Sequence, residues 1–288
     1  MRKAHQLLFF VTVLNPVTNF GCKLFQTAKL CDNRVAAQET VASRLSVRPH
    51  QSKLRIRSSM ATTAGDSRPW AEQFKLENMM AQEWENGMTG LQAVTKMKEI
   101  LTAQGCFPPD RESVPEDWED ALLLRFFIGF KKNPEAAAEA FEQMLTWRKE
   151  NGINEIRQKL MNGLNPSEFP RYETVRRFYP LLKCGKDKHG CPILITLTGL
   201  IDPAKLVKAV TLEEMRLYII YEMESKFIKL CQLTAETGIF YRALEVHDLK
   251  GLGMHHLATG PVGLLRKVVK EVSANYVEIS DKVVMGRG

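Results

Sequence analysis

The stretch Phe240–Leu257, FYRALEVHDLKGLGMHHL, decides the fold. Bulky apolar residues from Phe240 to Val246 read as a β-strand, and His247-Asp248-Leu249-Lys250-Gly251 reads as the turn that ends it. A helical pattern follows from Pro261 to Tyr276, and then a short apolar run from Lys282 to Met285. Strand, helix and strand joined by short connections predict a right-handed parallel βαβ unit.

A strand running into Gly-x-Gly and a helix also suggests a dinucleotide-binding turn. That turn needs a third Gly or Ala three residues after the second glycine, so that helix and strand can close around a pyrophosphate. His256 occupies the position, and no Gly-Lys-Ser or Gly-Lys-Thr opens the helix. The sequence therefore argues against a phosphate-cradling nucleotide site.

The net charge of +7 over 288 residues is unevenly distributed. Residues 1–60 carry ten Lys and Arg against two acids, whereas the remainder carries thirty against thirty-one. The globular part is close to neutral, with no basic stripe for nucleic acid. Residues 1–60 read as a basic leader, disordered or targeting, whose apolar run Leu7–Leu14 is too short to span a bilayer. Its acid-poor composition fits an organelle transit peptide, plastid or mitochondrial. It equally fits an upstream leader preceding a start at Met60. The six cysteines (22, 31, 106, 184, 191 and 231) form no Cys-x-x-Cys pair, which predicts free thiols in a reducing compartment.

From Trp70 to Gly105 the pattern is helical and amphipathic, and Cys106-Phe107-Pro108-Pro109 breaks it. Ser113-Val-Pro-Glu116 reads as a capping box, opening a helix with Trp118, Leu122, Phe126, Phe127 and Phe130 on one face. Asn133-Pro134 caps the next helix, which Gly152 closes. A connector runs from Asn165 to Arg177. Leu181–Cys184 and Ile193–Thr198 then read as a hairpin around the turn Gly185–Gly190. Thr211-Leu-Glu-Glu214 is a further capping box, and the long helix behind it presents Leu212, Met215, Ile219, Met223, Phe227, Leu230 and Cys231 on one face before ending at Thr237-Gly238.

Several of these segments, in this order, resemble the CRAL-TRIO lipid-binding family, which includes retinaldehyde- and tocopherol-binding proteins and Sec-fourteen-like phosphatidylinositol transfer proteins. Val246-His247-Asp248-Leu249-Lys250-Gly251-Leu252 is similar to the turn after the family's central strand, and Asn275-Tyr276-Val277-Glu278 to its Asn-Tyr-Pro-Glu. Leu123-Leu124-Arg125-Phe126-Phe127, Lys131 and Trp147-Arg148-Lys149-Glu150 resemble the helical domain that precedes it, and Tyr221-Glu222-Met223-Glu224 a stretch of its long helix. Departures are Val277 for Pro, Cys191 for Arg in the hairpin, and Ile128 and Phe130 where Arg is common.

The resemblance implies an α/β fold with an all-α N-terminal domain: a mixed or parallel sheet flanked by helices that form a lipid cavity. The expected divisions are a leader at 1–60, a helical domain at 70–165 and a lipid-binding domain at 178–288, read as partial because a further strand and an apolar helix would follow Met285 in the family. The implied function is non-enzymatic binding and intermembrane transfer of a hydrophobic lipid, phosphoinositide-like or isoprenoid-like, by a cytoplasmic protein that visits membrane surfaces. The alternatives are a docking scaffold without lipid exchange and a truncated fragment without function. No cofactor and no metal is expected.

The implied lipid contacts are Glu278, Lys131, Glu245, His247, Tyr241, Leu197, Ile195, Met223 and Phe227. Glu278 stands where phosphoinositide-binding members place a glutamate against inositol hydroxyls; it also reads as an ordinary exposed glutamate. Period-2 alternation sets Tyr241, Ala243, Glu245 and His247 on one face of the central strand. Members that bind phosphatidylcholine carry hydroxyl residues at the positions of Ala243 and Glu245, which puts exchange of that lipid in question. Glu245 and His247 read either as a hydrogen-bonded core pair or as polar contacts to a ligand headgroup. No nucleophile elbow or zinc-protease spacing appears, so an α/β enzyme is the weakest reading.

Overall fold

A computed structural model describes residues 69–253, 256 and 259–286. The leader, Cys22, Cys31 and Gly288 lie outside the described residues.

The amphipathic stretch after Trp70 forms three helices: α1 (Trp70–Gln73), α2 (Leu76–Ala81) and α3 (Gly90–Ala103). Gly87 at φ 76° turns the chain between the last two, and a Thr89–Gln92 capping box starts α3. Next come α4 (Glu119–Gly129), α5 (Pro134–Glu150) and α6 (Ile153–Met161). Asn133 caps α5 through the Ala136 amide, and Gly152, left-handed at φ 61°, separates α5 from α6.

The capping box at Ser113 does not form. A 3₁₀ turn from Pro115 leads into α4 instead, and Ser113 Oγ accepts a 2.8 Å hydrogen bond from Asn154. The expected connector at 165–177 is also more ordered than its composition suggests, because it holds a helix, α7 (Tyr172–Phe178).

The α/β part runs β1 (Leu181–Lys186), β2 (Pro192–Thr196), α8 (Pro203–Ala209), α9 (Leu212–Thr237), β3 (Ala243–Asp248), α10 (Thr259–Ser273) and β4 (Ser280–Gly286). The sheet order is β1-β2-β3-β4, with β1 antiparallel to β2 and the other two pairings parallel. The expected hairpin and βαβ unit are both present. The central strand begins at Ala243, because the preceding residues bridge to the helical part: the Phe240 amide donates to the Phe74 carbonyl at 2.7 Å.

The turn after β3 is held locally. Asp248 Oδ1 accepts the Lys250 amide at 2.9 Å, and Gly251 takes φ 90°. Gly199 lies so close beneath the Lys250 carbonyl that no side chain fits there. The Thr211–Glu214 capping box opens α9, and left-handed Gly238 closes it. This helix is buried against both the sheet side and the α4–α6 layer, and a single apolar core runs through both.

Candidate functional site

A cavity of about 570 Å³ lies between the sheet, α9 and the segment Leu160–Phe169. Register builds its floor. β1, β2 and β3 align Leu181 with Thr196 and His247 in one row, and Lys183 with Leu194 and Glu245 in the next. All six residues line the cavity, and α9 contributes Ile219, Met223 and Ile228 opposite them. The lining is predominantly apolar, with a cluster of charges: Lys183, Lys186, Lys226 and Lys229 against Glu222 and Glu245. Lys183 pairs with Glu222 at 3.1 Å and Lys226 with Glu245 at 2.7 Å. Lys186 and Lys229 are exposed and make no ion pair among the described residues.

Glu245 and His247 do not form a pair with each other. Glu245 accepts from Lys226 and from Ser280 Oγ. Burial alone would raise its carboxyl, but the Lys226 charge and these two hydrogen bonds hold it below the usual carboxylate range. His247 binds Thr198 Oγ1 through Nδ1 at 2.8 Å, while its Nε2 is buried without a partner. Burial lowers the imidazole below its ordinary value, and Glu245 partly offsets this. Tyr179 also lines the cavity; burial and the nearby Glu245 charge push its phenol up to about 12, so it stays protonated.

Of the nine expected lipid contacts, the cavity brings together Met223, Glu245 and His247. Ile195 falls on the other face, because the parallel register sets Leu194 beside Glu245 and Thr196 beside His247. Leu197 lies just past the end of β2 and outside the lining. Phe227 packs edge-on against Trp118 and Tyr276 in the seam with the helical layer. Tyr241 is buried beside Trp70, with its carbonyl held by Arg125 at 2.6 Å. Lys131 is exposed at the end of α4, with φ 56°.

Glu278 also lies outside the lining, at φ 52°, with its carboxylate taking a 2.8 Å hydrogen bond from Arg242. Its carbonyl accepts from Arg125 Nη1 at 2.6 Å. Lys226, Leu194 and Ile219 also line the cavity and were not among the expected contacts, although Ile219 shares the apolar face of the long helix with Met223. On a helix Lys226 looks like a solvated residue, although its spacing of three from Met223 puts both on one face.

Among the described residues no helix is long and apolar enough to cross a membrane, and no group of three or more His, Cys, Asp or Glu could hold a metal ion. The four described cysteines are free thiols.

The family profile described as "CRAL/TRIO domain" matches residues 177–286. Among curated proteins, the chain is 29% identical over 61% of its length to "Phosphatidylinositol/phosphatidylcholine transfer protein SFH9" of Arabidopsis thaliana, covering 29% of that protein. It is 31% identical over 64% of its length to "Phosphatidylinositol/phosphatidylcholine transfer protein SFH14" of the same plant, covering 30% of it. "Sec14 cytosolic factor" of Schizosaccharomyces pombe matches at 30% over 48% of this chain and 47% of that protein. The chain thus spans about three tenths of the plant relatives and under half of the yeast one.

Proposed function

Because the chain belongs to the CRAL/TRIO family through residues 177–286, we propose that it binds a phospholipid in the cavity beneath α9 and carries it between membrane surfaces. The observation that carries this reading is the cavity itself: an apolar wall of Leu194, Ile219, Met223 and Ile228 beside a lysine-rich edge. An acyl chain needs such a wall, since each methylene left in water costs about 0.8 kcal/mol. A phosphate needs cations that are not already neutralised, and Lys186 and Lys229 supply them. The helical part, residues 70–165, supports the lipid-binding part, residues 178–288, from behind α9. The names of the relatives, phosphatidylinositol/phosphatidylcholine transfer proteins, favour the same ligand class.

An inositol headgroup is the finer reading and rests on the names of the relatives, because Glu278 lies outside the cavity lining with its carboxylate on Arg242. Transfer needs no covalent step, and the reading assigns none.

The test is incubation of the full chain with vesicles of phosphatidylinositol and phosphatidylcholine, removal of the vesicles, and native mass spectrometry. A one-to-one phospholipid complex is expected. A folded, monodisperse protein that takes up no lipid would overturn the proposal in favour of a docking module. Uptake of phosphatidylcholine alone from the mixed vesicles would remove the inositol assignment and leave phospholipid binding in place.

A further inference from the structure

His247 is 4% exposed and lines the cavity, yet Nε2 has no hydrogen-bond partner. Buried polar atoms without partners are rare and costly, so a lone one on a cavity wall calls for an explanation. The contact at the other ring nitrogen bears on which tautomer the ring takes. Thr198 Oγ1 has one proton and two acceptors within reach, His247 Nδ1 at 2.8 Å and the Thr196 carbonyl at 3.4 Å. We assign that proton to the nearer contact, at 2.8 Å, which makes Nδ1 the acceptor and puts the hydrogen of the neutral ring on Nε2. The ring is kept neutral by its burial.

We infer that His247 Nε2–H is a ligand-reading donor, which hydrogen-bonds an acceptor oxygen of the bound lipid, either an ester carbonyl or a phosphate oxygen. This deepens the proposed lipid-binding function and rests on it. Three features place an acceptor rather than a donor there. The nitrogen offers a hydrogen and no lone pair. The neighbouring Glu245 already has its own donors in Lys226 and Ser280. The charges lining the cavity are four lysines against two glutamates, which favours electron-rich ligand atoms. Thr198 acts at one remove, as a positioning residue that fixes the tautomer.

The experiment measures affinity of the full chain for three probes: a diacyl phospholipid, its diether analogue, which lacks ester carbonyls, and a diacylglycerol, which lacks phosphate. His247→Leu is expected to weaken about five- to tenfold the probes that carry the contacted oxygen. Loss on the diacyl phospholipid and diacylglycerol, with the diether spared, assigns the ester carbonyl. Loss on both phospholipids, with diacylglycerol spared, assigns phosphate. His247→Gln, which keeps an N–H near the Nε2 position, should stay within about threefold of wild type.

Equal affinities of wild type and His247→Leu for all three probes would overturn the inference while leaving lipid binding intact. So would an equal loss in the Leu and Gln variants. A wild-type chain that takes up none of the probes removes the underlying lipid-binding reading instead. If His247→Leu does not fold, Thr198→Val carries the test: it frees Nδ1 to hold the hydrogen and should weaken the same probes by about two- to fivefold. Unchanged affinity in that variant would overturn the inference.

Discussion

Arg148 and Glu224 meet through two hydrogen bonds of 3.1 and 2.9 Å, in a space where Glu224 is 0% exposed. The carboxylate also accepts from Arg157 Nε at 2.6 Å and from the Tyr276 hydroxyl at 2.7 Å. Arg148 lies on α5, Arg157 on α6, Glu224 on α9, and Tyr276 just past α10. One carboxylate therefore ties the helical layer to the element that roofs the cavity. Removing it leaves two buried guanidinium groups without their counter-charge. Glu224→Gln should cost about 3–5 kcal/mol in urea unfolding. A loss under about 1 kcal/mol would show that the network does not bind the layers.

The same group sets an acid limit. Burial works against the Glu224 charge, but Arg148, Arg157 and the hydrogen bonds outweigh it and hold the carboxyl at about 2. An unfolded glutamate titrates near 4.3, as a rough reference value. The native pKa is the lower one, so this stabilisation is fully present above about pH 4.3 and is lost as pH falls towards 2. It amounts to about 3 kcal/mol. Urea midpoints followed from pH 6 to pH 2.5 should fall, and Glu224→Gln should flatten that limb. A variant that keeps the wild-type slope would assign the acid sensitivity to other carboxylates.

Arg125 shows why an arginine is needed inside the helical layer. It is 1% exposed, lies over the Phe240 ring at 4.2 Å, and uses separate nitrogens for the carbonyls of Tyr241 and Glu278, at 2.6 Å each. Burial lowers it to about 10, with the Cys231, Arg242 and Glu278 charges contributing less, so it remains charged near neutral pH. A lysine has one nitrogen and cannot span both carbonyls. Arg125→Lys should lose about 1–3 kcal/mol, measured by urea or thermal unfolding. Wild-type stability in this variant would mean the fork is dispensable.

One turn further along α4, Gly129 rests directly on the Val277 side chain, and an added Cβ would overlap Val277 Cγ1. Helix propensity alone favours Gly129→Ala by about 1 kcal/mol. The contact reverses the sign, giving a net loss of about 1–3 kcal/mol. Val277→Ala in the same chain should recover most of it. A double-mutant cycle with no coupling would contradict the close packing.

The βαβ unit from Phe240 to Met285 was legible from the order of its segments, and the Thr211 capping box, the Asn133 cap and the Gly152 break from their neighbours in sequence. The last three are fixed by local backbone chemistry. Where a tertiary partner intervened, the reading shifted. Ser113 has the right spacing for a cap, but Asn154 claims its oxygen. Phe240–Arg242 looks like strand, yet Phe74 draws the first of these amides out of the sheet.

The site was partly legible for the same reason. Alternation put Glu245 and His247 on one face, but only the β2–β3 register decides that Leu194 and Thr196, rather than Ile195, share it. Glu278 carried a motif, and the structure engages it with Arg242 and Arg125 instead of the cavity wall. Lys226 was invisible because its relation to Glu245 exists only once α9 lies across the sheet.

The central claim is that a lipid chain lies between the sheet floor and α9. A phospholipid with a photoactivatable group in its acyl chain, loaded from vesicles and cross-linked, locates that chain directly by peptide mass spectrometry. Labels should fall on the peptides carrying Leu194, Ile219, Met223 and Ile228, and excess unlabelled phospholipid should remove them. Labels confined to exposed helix surfaces, or undiminished by competitor, would contradict the account and point to superficial membrane contact.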